Sequence, residues 1–288
     1  MGLHYDMLMS LPPREGQQAY DERDTMLYAL GLGIGGKAAH DARHLGFVYE
    51  RELQALPTMA VVLAYPGFWM AEPQYGIEWR KILHAEQTLR VLQAVPVSGR
   101  MRSETTVEAI YDKGADKGAL MYVLRRLYDA DSEALIAEVR QGVFLRGNGG
   151  FGGAASGAPA PHPTPDRTPD LAFETVTRDE QALIYRLSGD YNPLHADPIV
   201  AAQAGFVRPI LHGLATYGIA GWAAVVELCE GQAARLRRLD ARFSSPVFPG
   251  ETLRVEMWRE GGGRASLQVR AKERDAVVLK NGYAEYED

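Results

Sequence analysis

The residues best suited to chemistry lie in Tyr185-Arg-Leu-Ser-Gly-Asp-Tyr-Asn-Pro-Leu-His-Ala-Asp-Pro198, where a carboxylate, Asp190, stands five residues ahead of an imidazole, His195. Gly189 and Pro193 bracket the intervening residues. Glycine permits backbone angles that other residues avoid, and proline fixes its own φ and restrains its predecessor. The segment therefore reads as a bent loop. An Asp and a His on one rigid loop can hold a water molecule between them, and one of them can take its proton. That is equipment for adding water to a carbon–carbon double bond, or removing it. The plainer reading is an Asx turn, with Asp190 bonding only nearby backbone N–H groups.

Such a loop needs a scaffold, and 288 residues suffice for one large domain or two of about 140. Apolar residues make up 46% and charged residues 24%, as in a water-soluble globular chain. The net charge of −6 and the absence of a dense Lys/Arg block argue against nucleic acid as a partner. Cys229 is the single cysteine, so no disulfide can form within the chain, which fits a reducing compartment. The N-terminal residues show no basic and apolar signal pattern, and Glu285-Tyr-Glu-Asp288 is not a Ser-Lys-Leu address, so a cytoplasmic location is expected. Pro209 to Val226 carries no charged residue over 18 positions, which reaches membrane-spanning length. Its three glycines, its alanines and His212 instead suit a helix wrapped by a sheet, and no membrane partner is expected.

Leu145 to Pro165 is rich in Gly, Ala and Pro and marks a linker. The expected organisation is an N-terminal repeat over 1–145, a linker over 146–170 and a C-terminal repeat over 171–288. Short echoes recur in the same order: Tyr28-Ala-Leu30 and Tyr185-Arg-Leu187, Leu83-His84-Ala85 and Leu211-His212-Gly213, Pro96-Val-Ser-Gly99 and Pro246-Val-Phe-Pro-Gly250. Strand-like stretches follow at 99–111, 120–128 and 135–145, and again at 251–260, 264–274 and 276–287. Asp197 can cap a short helix that starts at Pro198 and ends by Gly205, and a long apolar helix is expected over 213–228. Each half then reads as α+β, an antiparallel sheet wrapped around a long central helix. That is a tandem, or double, hot-dog fold.

Tyr185–Pro198 closely resembles the signature of the MaoC-like hydratases. The whole chain resembles the type-2 (R)-specific enoyl-CoA hydratases, the hydratase part of peroxisomal multifunctional enzyme type 2 and its bacterial relatives. The resemblance is also carried by Phe47-Val-Tyr-Glu50, His84-Ala-Glu-Gln87, Tyr111-Asp-Lys-Gly114, Phe144–Gly153, Pro209-Ile-Leu-His-Gly213 and Ala241-Arg-Phe243. It implies hydration of trans-2-enoyl-CoA to (3R)-hydroxyacyl-CoA by syn addition of water. The second half would be catalytic, and the first would accommodate medium, long or bulky acyl chains, including steroid side-chain esters. Asp190 and His195 would be the catalytic pair; the residues alone leave open which is the base. Gly213 would supply the oxyanion-hole N–H, the start of a helix being where backbone donors are free. Asn192 and Glu50 would support the site. His84, Ala85, Lys113, Tyr191, Pro193, Leu194, His212 and Phe243 would line the substrate or CoA site. Ala85 departs from the family's glycine, which puts its CoA contact in doubt.

No cofactor is expected, since CoA is part of the substrate and hydration moves no electrons. No metal is expected either, because His40, His44 and the nearby acids lack ligand spacing. Gly31-Leu-Gly-Ile-Gly-Gly36 lacks the strand–loop–helix setting of a dinucleotide site. The acyl-CoA thioester is the expected partner, and a homodimer is compatible with the sequence. The alternatives are a hot-dog acyl-CoA thioesterase, whose carboxylate would face the carbonyl carbon, and a non-catalytic acyl-CoA-binding subunit.

Overall fold

Alternating apolar positions in both halves build one continuous antiparallel sheet in the computed structural model of the protein, which describes residues 2–38 and 40–288. The first half contributes β1 (Arg14–Tyr20), β2 (Ile82–Val91), β3 (Gly99–Asp112), β4 (Ala119–Asp129) and β5 (Leu135–Leu145). The second contributes β6 (Leu171–Val176), β7 (Leu236–Phe243), β8 (Thr252–Arg259), β9 (Arg264–Ala271) and β10 (Ala276–Tyr286). The spatial order is β1-β3-β4-β5-β2-β7-β10-β9-β8-β6. Reading inward from either edge gives the same sequence of roles, so the halves are related about the β2–β7 seam. There Glu86 to Arg90 pair with Arg242 to Arg238. The fold is a double hot-dog.

The helices are α1 (Tyr5–Met9), α2 (Glu22–Gly31), α3 (Gly35–Ala38), α4 (Ala42–Leu45), α5 (Gln181–Tyr185), α6 (Pro198–Gln203) and α7 (Gly213–Leu228). Thirteen of the sixteen residues of α7 are buried, so it has no polar face and must be enclosed on all sides. Its glycines allow that enclosure. A Cβ at Gly218 would overlap Leu32 Cδ2, and one at Gly221 would overlap Thr58 Cγ2. No helix among the described residues is long and apolar enough to cross a membrane.

Among the described residues, the first half departs from expectation in having no long helix. Between α4 and β2 the chain makes 3₁₀ turns at Pro57–Val61, Trp69–Ala71, Pro73–Tyr75 and Trp79–Lys81. Pro57, Pro66, Pro73 and Gly76 interrupt any longer helical run, proline by removing an N–H donor. The echo between Leu83-His84-Ala85 and Leu211-His212-Gly213 also fails as a structural equivalence. The former lies on β2, the counterpart of β7, which follows the helix that the latter opens.

Residues 146–170 contain no helix or strand, yet they form a strap bound to the sheet. The Asp112 carboxylate accepts from the backbone N–H groups of Gly150, Gly114 and Gly152 at 2.8, 2.9 and 2.8 Å. These donors hold its pKa below the ordinary aspartate value. Further along, Asn281 donates to the His162 carbonyl at 2.7 Å, and His162 Nε2 lies 2.7 Å from Glu260.

Candidate active site

The Asp/His loop hangs between two short helices. After α5, Gly189 takes φ +118°, a conformation few L-residues adopt, and releases the chain outward. Asp190 Oδ1 then accepts from Asn192 N–H at 3.2 Å, and Asn192 Oδ1 accepts from Leu194 N–H at 3.1 Å. Two successive Asx turns thus stiffen the loop through Pro193, and Asn192 serves it structurally. The Asx-turn reading of Asp190 is real but incomplete, because one carboxylate oxygen can accept several bonds. Asp197 Oδ1 caps α6 through Ile199 N–H at 2.8 Å, which pins the far end of the loop.

His195 is 8% exposed. Its Nδ1 lies 2.8 Å from the Ile210 carbonyl oxygen. A carbonyl only accepts, so neutral His195 carries its proton on Nδ1 and presents a lone pair at Nε2. His212 precedes α7 and is fully buried; its Nε2 donates to the Asp190 carbonyl at 3.1 Å. The two imidazoles stack at 3.8 Å with an interplanar angle of 29°. His212 therefore ties the start of α7 to the Asp190–His195 loop through the Asp190 backbone.

Gly213 is the first residue of α7, and neither its N–H nor that of Leu214 has a protein acceptor among the described residues. A Cβ on Gly213 would approach the Phe243 ring to 3.1 Å, so Phe243 walls this helix start. Phe243 packs in turn on His84, with ring centroids 4.7 Å apart. A β-bulge in β2 between His84 and Glu86 places Ala85, and bulges commonly re-aim side chains beside active sites. His84 is within electrostatic reach of Asp190. These contacts bring residues 84, 85, 190, 195, 212, 213 and 243 to one side of the β2–β7 seam.

Other candidates fall elsewhere. Tyr191 is 57% exposed under the Arg186 guanidinium, and Pro193 is exposed, so both line the outside of the loop. Leu194 is half-buried. Lys113 Nζ donates to the Ala155 carbonyl at 2.7 Å and thus binds the strap. Glu50 is exposed and makes no side-chain hydrogen bond or ion pair among the described residues, so it is not seen supporting the loop. Tyr28 and Tyr185 were visible in the sequence only as an echo. The fold brings their rings to 5.9 Å, and Tyr185 packs 5.0 Å from His212.

Ligand atoms of Asp190, His195 and His212 all lie within 4.8 Å of one another, a donor set that a metal ion could share. One nitrogen of each ring is already engaged by a backbone carbonyl, Nδ1 of His195 by Ile210 and Nε2 of His212 by Asp190.

Burial holds His195 below the ordinary imidazole pKa against the opposing effects of the Ile210 carbonyl and Asp190. Burial, followed by the neighbouring His195, pushes His212 down to about 4. Both rings are neutral at neutral pH. Unfolded histidines titrate near 6.5, so below that pH the unfolded chain takes up protons that the native state refuses. Thermal stability is expected to fall on acidification from about 6.5 toward 4, and His212→Asn should flatten that fall. Calorimetry across that range checks it; an equal slope in the variant would contradict the assignment.

Known proteins place this geometry in context. The profile of the MFE-2 hydratase 2 N-terminal domain matches residues 18–147, and that of the MaoC like domain matches 161–281. The chain is 44% identical over 276 residues to 3-hydroxyacyl-thioester dehydratase Y of Mycobacterium tuberculosis, covering 93% of each chain. It is 37% identical to the peroxisomal enoyl-CoA hydratase 2 of Arabidopsis thaliana, covering 97% of this chain and 94% of that one. A crystal structure of a MaoC-like dehydratase from Phytophthora capsici superposes with a TM-score of 0.88 at 36% identity, covering 99% of each chain.

Proposed function

The chain belongs to the MaoC-like hydratase family, and from that premise we propose that it adds water to trans-2-enoyl-CoA thioesters to give (3R)-hydroxyacyl-CoA. It is a hydratase/dehydratase acting on acyl-CoA; the relatives' two kinds of name describe one equilibrium from its two sides. One observation carries the residue assignment. His195 has an unprotonated Nε2 and a ring nitrogen within 4.8 Å of an Asp190 carboxylate oxygen, on a loop tied through His212 to the free backbone donors at the start of α7.

In the proposed reaction a water sits between Asp190 and His195 Nε2. Negative charge develops on the thioester oxygen as the water oxygen bonds to Cβ, and the Gly213 N–H binds that oxygen. A proton leaves the water to the pair and is delivered to Cα from the same side, so the addition is syn. The neutral, desolvated His195 is the better placed base, because its lone pair is available at neutral pH. A long or bulky acyl chain extends into the first half, where the long helix is replaced by turns.

Hydration of crotonyl- and decenoyl-CoA, followed by loss of the conjugated-thioester absorbance and chiral separation of the product, tests this reading. The expected product is the (3R) enantiomer. Release of free CoA to a thiol reagent would instead indicate a thioesterase, and the (3S) product would refute the proposed facial arrangement. The lone, buried Cys229, whose thiol pKa burial raises to about 12, is compatible with a reducing compartment such as the cytoplasm.

A further inference from the structure

A line of buried polar atoms joins the first half to the Asp190–His195 loop. Tyr28 on α2, Thr58 on the 3₁₀ turn at Pro57–Val61, Tyr185 at the end of α5 and His212 before α7 are all fully buried. The hydroxyls of Thr58, Tyr28 and Tyr185 and the Nδ1 of His212 have no hydrogen-bond partner among the described residues. Yet they are neighbours. Burial raises the Tyr28 phenol pKa while the hydroxyls of Thr58 and Tyr185 lower it, so Tyr28 lies within reach of both. Tyr185 packs on His212, whose ring stacks on His195. Glycines admit the tyrosines to these positions. A Cβ at Gly31 would lie 3.0 Å from Tyr185 Cα, and one at Gly218 would lie 2.9 Å from the Tyr28 hydroxyl.

Polar atoms left unpaired in a core are costly, and phenylalanine would fill the same space without that cost. Donor counting gives the line a direction. His212 Nε2 uses its hydrogen on the Asp190 carbonyl, so Nδ1 can only accept. Each hydroxyl has one hydrogen to donate and can accept a further bond. Donation from Thr58 to Tyr28, from Tyr28 to Tyr185 and from Tyr185 to His212 Nδ1 leaves no donor idle. Run the other way, the line leaves Nδ1 with nothing.

We propose that Tyr28 and Tyr185 are positioning residues for the hydration step, their hydroxyls carrying one directed hydrogen-bond line from Thr58 to His212 Nδ1. The line fixes His212 in the tautomer that donates to the Asp190 carbonyl, and it steadies the ring on which His195 stacks. The first half thereby supports catalysis without touching the reacting atoms. The inference rests on the hydratase reading for its kinetic consequence, but not for the line itself.

The test measures kcat and KM for crotonyl-CoA across pH in the wild type, Tyr28→Phe, Tyr185→Phe and the double variant. Tyr185→Phe should lower kcat by about tenfold with KM nearly unchanged, as for a small misplacement of reacting groups. Tyr28→Phe, one link further away, should cost less, and the double variant no more than Tyr185→Phe alone. The acid limb of kcat should move to higher pH in each. A donor at Nδ1 favours neutral His212, so its loss eases protonation among the same neighbouring charges, His195, Asp190 and Arg186. Nitrogen NMR of the isotope-labelled full chain reads the line without turnover. The His212 Nδ1 signal, identified by its loss in His212→Asn, should move in Tyr185→Phe. Tyr217→Phe is the control, since that buried hydroxyl donates to the Leu239 carbonyl at 2.7 Å, outside the line; it should lose stability but not kcat. An equal kcat loss in Tyr217→Phe, or wild-type kcat and pH profile in both line variants, would overturn the positioning role. An unmoved Nδ1 signal would overturn the line. Should Tyr185→Phe not fold, wild-type kcat and pH profile in Tyr28→Phe still overturn the proposal. A signal that moves in a protein hydrating no thioester would sink the hydratase reading and leave the line standing.

Discussion

Replacing Asp190 with Asn, or His195 with Asn, is expected to lower kcat for enoyl-CoA hydration by about 1,000-fold, the scale of lost general acid–base catalysis. The substitutions are chosen to spare the loop. Asn at 190 keeps the oxygen that accepts from Asn192 N–H, so the Asx turn survives while the charge is lost. Asn at 195 can still donate to the Ile210 carbonyl, while the lone pair at Nε2 is gone. Because the two groups act on one water, the double variant should cost little more than the worse single one. Steady-state hydration rates, with thermal unfolding to verify the fold, measure this. Turnover near the wild-type rate in either single variant would remove the pair from the mechanism.

Gly213→Pro is expected to cost about 100-fold in kcat while leaving α7 intact, the usual scale for removing one oxyanion donor. Proline suits this position structurally. It is the first residue of the helix, where the N–H has no intrahelical acceptor, and His212 before it has φ −56° and ψ 135°, which a following proline accepts. The variant deletes the donor and little else of the backbone. It does add a Cβ facing Phe243, so Gly213→Ala is the needed control: it adds the same Cβ but keeps the N–H. The alanine variant should retain most of the activity lost in the proline variant. Equal losses in both would assign the effect to crowding against Phe243 and not to the missing donor.

Much of the first half's geometry was hidden in its sequence. The strand-like stretches beginning at Gly99, Leu120 and Leu135 fall on β3, β4 and β5, legible as alternation or, in β4, as a short apolar run rich in aromatic and aliphatic residues. β2 and β7, which form the seam beneath the site, escaped notice. Their outer faces carry Glu86, Arg90, Arg238 and Arg242, which obscure the apolar side. The missing long helix was masked by an echo, Leu83-His84-Ala85, that three residues were too short to establish. Lys113 illustrates the same limit, since its contact with the strap at Ala155, more than forty residues away, was not legible in its neighbours.

What the sequence determined by itself was local: the Asp190–His195 loop that follows Gly189, the Asp197 cap of α6, and the apolar α7 from Gly213 to Leu228, free of charge as far as Val226. These depend on backbone preference and on burial of a single segment, both encoded within a few neighbouring residues. The tertiary structure alone decided that His195 stacks on His212, that Phe243 closes against Gly213, and that Arg125 is buried with no carboxylate partner among the described residues. Periodicity shows which face of an element is apolar, but not which distant face it meets. Only the packed sheet brings residues from the two halves of the chain to the same few ångströms.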